Sequence, residues 1–584
     1  MSFHPTPSNL QGADLLLINP DFSKNELGVA SAPENHLGLN RLASYLVKKG
    51  HTCQVIDTTG RPASQTGPEE LGDWLNENAD RYKMIGFHSN SWNINHILRT
   101  LERAHKKLKK KKLLFGGPLP NSEPLRMTQL LIDSGVENIG VVQGLGEKIT
   151  DEILSRDQLL GIDGLWAFQK HAPSAVEGGQ LQRGRKVAVT SAEFEQFPYL
   201  SLEHNTFYQQ YWRPVMEKGE LGEHPMNIVF SSQGFEVNRG CPFQCTYCSV
   251  PQYEEKLIMF SPKRVVDELE FIAQESGFFM FTFTNSNIMF YSQEWIEEFC
   301  REIIGRGMDQ YLNWTAYHHP SVISRMPASV YNLMRKAGSE TVVFGVQSFE
   351  EKIDKIFMRP PNTRELTQII CDKCKAAKLQ LTVDYITGVP GENLDIIEEA
   401  FDFFIRNDIE CRNYQLKFYP NTKLPMMKLD LSDYSLVPIT GNLAPELEAY
   451  AVIPKKPNPR GAELDGRIRK HNADLVRRRP VRIGKYYIES PEQARRLIAK
   501  DIPGDPHTPD KVKRSMTIAL REMLAPKKRA SGLPDLNPAE MMKVVVMAGS
   551  DAPPMLQAMQ AKLRDELGPG KFEKLRAEYE HAGL

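Results

Sequence analysis

Three cysteines stand within eight positions in "NRGCPFQCTYCSV": Cys241, Cys245 and Cys248. Thiolates this close on one loop can wrap a zinc ion or an iron–sulfur cluster. A structural zinc closes with four ligands, usually as two separated pairs, and no second pair follows at zinc-finger spacing. Three thiolates around a four-iron cubane leave one iron open to a substrate or cofactor, so the spacing suits a catalytic cluster better than a staple. A second group of chemical side chains follows in "NWTAYHHP" (313–320). Trp314 offers a stacking surface there, and Tyr317, His318 and His319 are candidate catalytic residues able to move a proton. Cys371 and Cys374 form a CxxC, but inside a helical pattern, where a buried thiol is the ordinary expectation.

These residues must be held by a scaffold, and the apolar periodicity describes one. From residue 14, short apolar runs alternate with helical patterns: "DLLLINP", "GLNRLASYLVKKG", "HTCQVIDTT", "YKMIGFHSN", "KLLFGGPLP" and "NIGVVQGLGE". This rhythm predicts a doubly wound parallel sheet over residues 12–155. Ligands on such sheets bind outside the carboxyl ends of the strands. The loops there carry Asn19, Pro20, Asp57, Thr58, Arg61, Ser89, Gly116, Gly117, Gly144, Gly146 and Glu147, which become the candidate cofactor contacts, with His36 on a neighbouring loop. Residues 156–225 are weakly patterned and read as a connector. The alternation resumes over 226–440, predicting a full or partial parallel barrel with its chemistry on the loops after the strands. The cysteines lie on the first of these loops. Residues 441–584 turn proline-rich and basic and read as a mostly helical C-terminal region of unassigned role. The overall fold class is α/β.

The chain is too long for a single core, and its formal charge of -1 disfavours nucleic acid as a partner. The start reads as no export signal, and no run reaches the ~20 apolar residues of a membrane span. A cytoplasmic location with reduced thiols is therefore expected. No G-x-G-x-x-G or Walker loop follows the first strand, which disfavours dinucleotide and ATP.

The CxxxCxxC spacing with Tyr247 before the last cysteine resembles the radical S-adenosylmethionine (SAM) enzymes. "GSETVVFGVQSFEE" (338–351) is similar to the strand that contacts the SAM ribose in that superfamily, and "DYITGVPGEN" (384–393) to its late strand. The N-terminal pattern and the linker "EFEQFPYLSLE" (193–203) resemble the cobalamin-binding domain that precedes many such barrels. The resemblance covers about residues 12–435. It implies a 4Fe-4S cluster on the three cysteines, SAM at the open iron, and cobalamin, working as methylcobalamin, on the first domain.

The implied reaction is methyl transfer from SAM through methylcobalamin to a carbon of a small molecule in secondary metabolism. An electron donor such as flavodoxin or ferredoxin is the implied partner. Two departures bear on the SAM pose: "TNSNIMF" (284–290) replaces an acidic stretch, and Gln347-Ser348 replaces Glu-Ser. Asn285, Asn287, Gln347 and Ser348 retain hydrogen-bonding capacity and are the expected SAM contacts. The first-strand loop also lacks the Asp-x-His-x-x-Gly motif that supplies a histidine to cobalt elsewhere. The lower cobalt face is therefore expected to be open or water-filled. Among relatives, the tryptophan 2-C-methyltransferases of thiopeptide antibiotic biosynthesis are compatible in length and cluster position, which makes C2 of L-tryptophan the named candidate. Alternatives are a non-methylating rearrangement, cyclisation or sulfur insertion, and a cobalamin or metal sensor that uses the basic stretch 467–485.

Overall fold

The computed structural model describes residues 12–20, 36–58, 67–170, 179–187, 189–221, 233–253, 256–283, 292–360, 362–420, 422–439, 447–456 and 458–524, with single positions and a short helical turn between 560 and 576. The chain forms two compact units, Met1–Lys24 with Ala30–Leu520, and Asn25–Val29 with Arg521–Leu584. In the smaller unit Arg564 pairs with Glu573 and lies over the ring of Phe572.

The larger unit opens with a seven-stranded sheet: β1 Leu15–Asn19, β2 Cys53–Asp57, β3 Met84–His88, β4 Lys112–Gly116, β5 Asn138–Val142, β6 Leu165–Gln169 and β7 Gln180–Gln182, in the order β2-β1-β3-β4-β5-β6-β7. The first five strands are parallel. Their side chains alternate between two cores: Leu16 and Ile18 join one, Leu15 and Leu17 the other. Burial on both faces is why these strands read as unbroken apolar runs. The order reverses between β1 and β3, which is where such sheets open a ligand crevice. The sheet continues into the stretch read from sequence as a connector, because β6 adds antiparallel to β5 and β7 antiparallel to β6. The three-residue edge strand β7 leaves little periodicity in the sequence.

The next sheet has six parallel strands, β8 Gln233–Gly234, β11 Met280–Phe283, β12 Asn313–His318, β13 Ser339–Gln347, β14 Gln380–Thr387 and β15 Glu410–Gln415, in the order β15-β14-β13-β12-β11-β8. It is a partial barrel. Between its first two strands, β9 Asn238–Arg239 pairs antiparallel with β10 Ile258–Met259 and frames the cysteine loop.

The C-terminal part combines helices with β16 Lys417–Phe418, β17 Tyr434–Pro438 and β18 Tyr450–Pro454 in one small sheet, and the hairpin β19 Val481–Ile483 and β20 Tyr486–Ile488. Its long helix Pro459–Arg478 flanks the edge strand β15, where Asn472 exchanges hydrogen bonds with the main chain of Cys411. Several basic side chains of the stretch 467–485 pair with carboxylates of the same chain. Arg467 pairs with Glu398 and Asp402, Arg478 with Asp408, Arg479 with Glu410 and Lys485 with Asp505.

Candidate functional site

The cysteine loop is held from three sides. Gly240 enters it at φ +83°, and a Cβ there would sit 2.1 Å from the Lys256 carbonyl, so only glycine fits. Thr246 donates its N–H to Phe357 O (3.0 Å) and its hydroxyl to Ile356 O (2.8 Å), and Leu424 N–H donates to Thr246 O. Cys248 N–H closes a tight turn onto Cys245 O at 3.1 Å. The result is one cavity of about 140 Å³ that all three thiols line, together with Tyr317, His318, Gln347, Arg359 and Asp384.

The donor set fits a multinuclear cluster. No trio of His, Cys, Asp or Glu among the described residues converges tightly enough to hold a single ion. All three thiols line one cavity, a soft donor set of the kind that holds iron–sulfur clusters. Burial pushes the Cys248 thiol up to about 12, against the pull of the Val250 N–H and of Arg359. A thiolate there requires more positive charge, which bound iron supplies. Arg359 is buried beside the loop. Its Nη1 donates to the Tyr247 hydroxyl (3.0 Å) and approaches Cys245 Sγ (3.9 Å), while Nη2 donates to Gly345 O (2.7 Å). Tyr247 is wedged edge-on against Phe357, ring centroids 4.7 Å apart.

The aromatic and imidazole candidates separate. Tyr317 and His318 line the cavity; the Arg412 guanidinium lies 5.3 Å from the Tyr317 ring centre and also donates to Asp384 (2.8 Å). Burial lowers His318 to about 3, so it is neutral at neutral pH. His319 stacks on Phe243 (3.9 Å), and its Nδ1 accepts from Ser321 N–H, capping the short helix Pro320–Ile323. Trp314 is buried in the barrel core and donates to Ala337 O. Gln347 lines the cavity in a left-handed conformation, φ +67°. Ser348 accepts from Glu350 N–H (3.0 Å). Arg61, Asn285 and Asn287 lie outside the described residues.

At the carboxyl edge of the first sheet, a crevice of about 270 Å³ opens between the strands and the helices Leu37–Lys48 and Gly146–Arg156. Leu17, Leu39, Leu42, Gly86, Leu114 and Val142 make apolar walls, and Gly116, Gly117, Gly144, Gly146, His36 and His88 also line it. Asn19, Asp57 and Thr58 knot the strand ends. Asn19 Nδ2 donates to Asp57 Oδ1 (3.0 Å), Thr58 N–H donates to Asn19 O, and Asn19 Oδ1 meets His88 Nδ1 (3.0 Å). Pro20 is buried at the end of β1. Ser89 ties its main chain to Gly116 and Leu119. Glu147 faces the crevice but is held by Arg239, at 2.7 and 3.1 Å.

That last pair joins the two sites. Arg239 stands two residues before Cys241 and also donates to Glu236 (2.6 Å). Glu236 in turn accepts from Arg41 of the first sheet's helix, and Arg41 pairs with Glu268. All five charges are buried. The short helix Val250–Tyr253, just after Cys248, packs against Pro118–Ser122, just after Gly117. The sequence does not single out His88, Arg239, Arg359 or Asp384 as site residues, although Arg239 and Asp384 lie within "NRGCPFQCTYCSV" and "DYITGVPGEN" and His88 adjoins Ser89; only the packing shows which of these side chains reach the cavities.

The site and fold define a class. Residues 235–404 match the Radical SAM superfamily. Over 180 residues the chain is 26% identical to the anaerobic magnesium-protoporphyrin IX monomethyl ester cyclase of Cereibacter sphaeroides, which covers 30% of this chain and 29% of that protein. The chain thus spans under a third of that curated relative. Two solved structures share the wider fold. The radical SAM methyltransferase TsrM from Kitasatospora setae, with cobalamin and a [4Fe-4S] cluster bound, aligns at 16% identity and TM-score 0.53 over 88% of this chain and 99% of its own. The cobalamin-dependent SAM radical enzyme OxsB, with aqua-cobalamin and SAM bound, aligns at 14% identity and TM-score 0.56 over 96% and 75%.

Proposed function

We propose that the protein is a cobalamin-dependent radical SAM methyltransferase that moves a methyl group from SAM to a carbon of a small molecule. The observation that carries this reading is the apposition of the two cavities, locked by Arg239 between Glu147 and Glu236. Cys241, Cys245 and Cys248 would hold the cluster, with Gln347 and Ser348 toward SAM. The apolar crevice, with Gly116, Gly117, Gly144 and Gly146 at its mouth, would hold cobalamin. Bound together, these groups supply methyl-transfer and radical chemistry.

The chain's own side chains do the rest. Tyr317 and His318 line the cysteine cavity and are assigned to substrate. Neutral His318 presents one ring nitrogen as donor and the other as acceptor, suited to hydrogen-bonding a substrate. His319 is assigned to positioning, since it fixes the end of β12 by capping the next helix. The half-buried Asp384–Arg412 pair offers a carboxylate and a guanidinium to the polar end of an amino acid. Tryptophan is the first substrate to test, and a flavodoxin or ferredoxin the expected electron source. The cyclase relative favours a second reading, a cyclisation that consumes SAM without transferring its methyl group.

The test is anaerobic reconstitution with iron, sulfide and cobalamin, then incubation with methyl-labelled SAM and candidate substrates. Label in the product supports methyl transfer. Accumulation of 5'-deoxyadenosine with no label in any product overturns it in favour of the second reading. Alanine at Cys241, Cys245 and Cys248 should remove cluster absorbance and turnover together, and turnover without the cysteines would refute the cluster assignment.

A further inference from the structure

Two histidines line the crevice of the first sheet, His36 ahead of the helix Leu37–Lys48 and His88 at the end of β3. Their rings meet edge-on, with centroids 4.1 Å apart. Their hydrogen bonds make them chemically unequal. Asn19 uses its amide nitrogen to donate to Asp57, so the atom that Asn19 presents to His88 is a carbonyl oxygen. An oxygen acceptor requires His88 Nδ1 to carry the proton, which leaves Nε2 with a bare lone pair. His36 is the reverse. Its Nδ1 accepts from Leu39 N–H (3.1 Å), so in the neutral ring Nε2 carries the proton and has no lone pair to give. Burial lowers both imidazoles below their usual range, His88 well below it, so both rings are neutral at neutral pH.

A carboxylate–amide–imidazole chain, Asp57 to Asn19 to His88, is the kind of outer support that fixes a metal-bound histidine's tautomer and ring orientation. The space beside Nε2 is kept clear by Gly117. At its φ of +118° a Cβ would lie 3.0 Å from His88 Nε2 and 2.6 Å from Ser89 O. We propose that His88 Nε2 is an axial ligand to cobalt, supplied from β3 in place of the histidine that the first-strand loop lacks. The inference rests on the cobalamin reading above. It replaces the expectation of an open or water-filled lower face with a protein nitrogen.

The experiment uses the full chain grown with natural-abundance and with nitrogen-15 histidine. Each preparation is loaded with cob(II)alamin under anaerobic conditions, gel-filtered and examined by electron paramagnetic resonance. A histidine ligand splits the cobalt lines into triplets that become doublets on labelling. The nucleotide tail's own nitrogen is unlabelled and would stay a triplet. Substituting Asn for His36, which preserves a capping side chain, should keep the coupling, while H88A that still retains cobalamin should lose it. If H88A does not retain cobalamin, the labelled wild-type spectrum together with H36N decides the matter. Bound cobalamin with no label-sensitive coupling, or coupling lost in H36N, overturns the ligand assignment and leaves the cobalamin reading intact. Failure of any cobalamin to co-elute overturns both.

Discussion

Replacing Arg239 by Met tests the junction between the two sites. Methionine keeps an unbranched apolar stem and deletes the charge, its donors and the guanidinium that lies over the rings of Phe194 and Phe197, 5.2 and 5.7 Å from its central carbon. Glu236 retains Arg41, but Glu147 loses the bidentate partner that satisfies both its oxygens. Stranding one member of a buried pair costs about 3–5 kcal/mol. The retained Arg41 contact places R239M toward the lower end, about 3 kcal/mol. Because a paired apolar replacement of buried ions is often neutral, E147M/R239M should recover most of the loss, leaving a coupling of about 2 kcal/mol in the double-mutant cycle. Acid should narrow the gap. Burial alone would raise the Glu236 carboxyl, but Arg239 and Arg41 outweigh it and hold it below the usual range. Its stabilising contribution is therefore present above the unfolded Glu value, about 4.3, and is lost as pH falls through the folded pKa. In R239M that contribution shrinks, because one of the two cations that hold the Glu236 carboxyl down is gone. Urea denaturation of the metal-free protein at pH 7 and near pH 4, followed by tryptophan fluorescence, reads both effects. A loss under ~1 kcal/mol at pH 7, or no recovery in the double variant, would refute the reasoning.

Removing the cation at Arg359 should move the cluster's reduction potential. A unit charge near 4 Å is worth about 4 kcal/mol at an effective dielectric of 20, and Arg359 lies 3.9 Å from Cys245 Sγ. Spread over a whole cluster, R359M should make the one-electron midpoint more negative by on the order of 100 mV, given 59 mV per tenfold change in equilibrium. R359K should fall between the two in a redox titration, and an unchanged midpoint in R359M contradicts the assignment. Alanine at Gly117 must adopt a backbone conformation costing about 1–3 kcal/mol and collide with Ser89 O and the His88 ring. Optical titration should show cobalamin affinity lowered at least about tenfold, with cluster content unchanged.

Much of the scaffold was legible in the chain because burial leaves a period. "DLLLINP" and "YKMIGFHSN" announce β1 and β3 because both of their faces are covered, and strands that alternate with helices can pair in parallel only through crossovers. The three-residue edge strand β7 is too short to leave such a signature. In "HSNSWN" the sequence points to Ser89, whereas the fold ties up the Ser89 main chain and turns His88 toward the crevice. "NWTAYHHP" looked like one aromatic surface, but period-two alternation buries Trp314 in the core and leaves Tyr317 at the cavity.

What the sequence by itself determined is local: three thiols on one loop, a chain of strand–helix units on either side of a connector, and glycines at the strand ends. Their spacing is short, so their proximity is covalently guaranteed. What only the tertiary structure decided is long-range. Arg359 reaches the cysteines from 114 positions beyond Cys245, and Arg239 finds Glu147 92 positions earlier. No period encodes such meetings. They exist because desolvated charges must be paired once packing has excluded water from the junction, and the pairing then fixes where the cysteine loop faces the crevice.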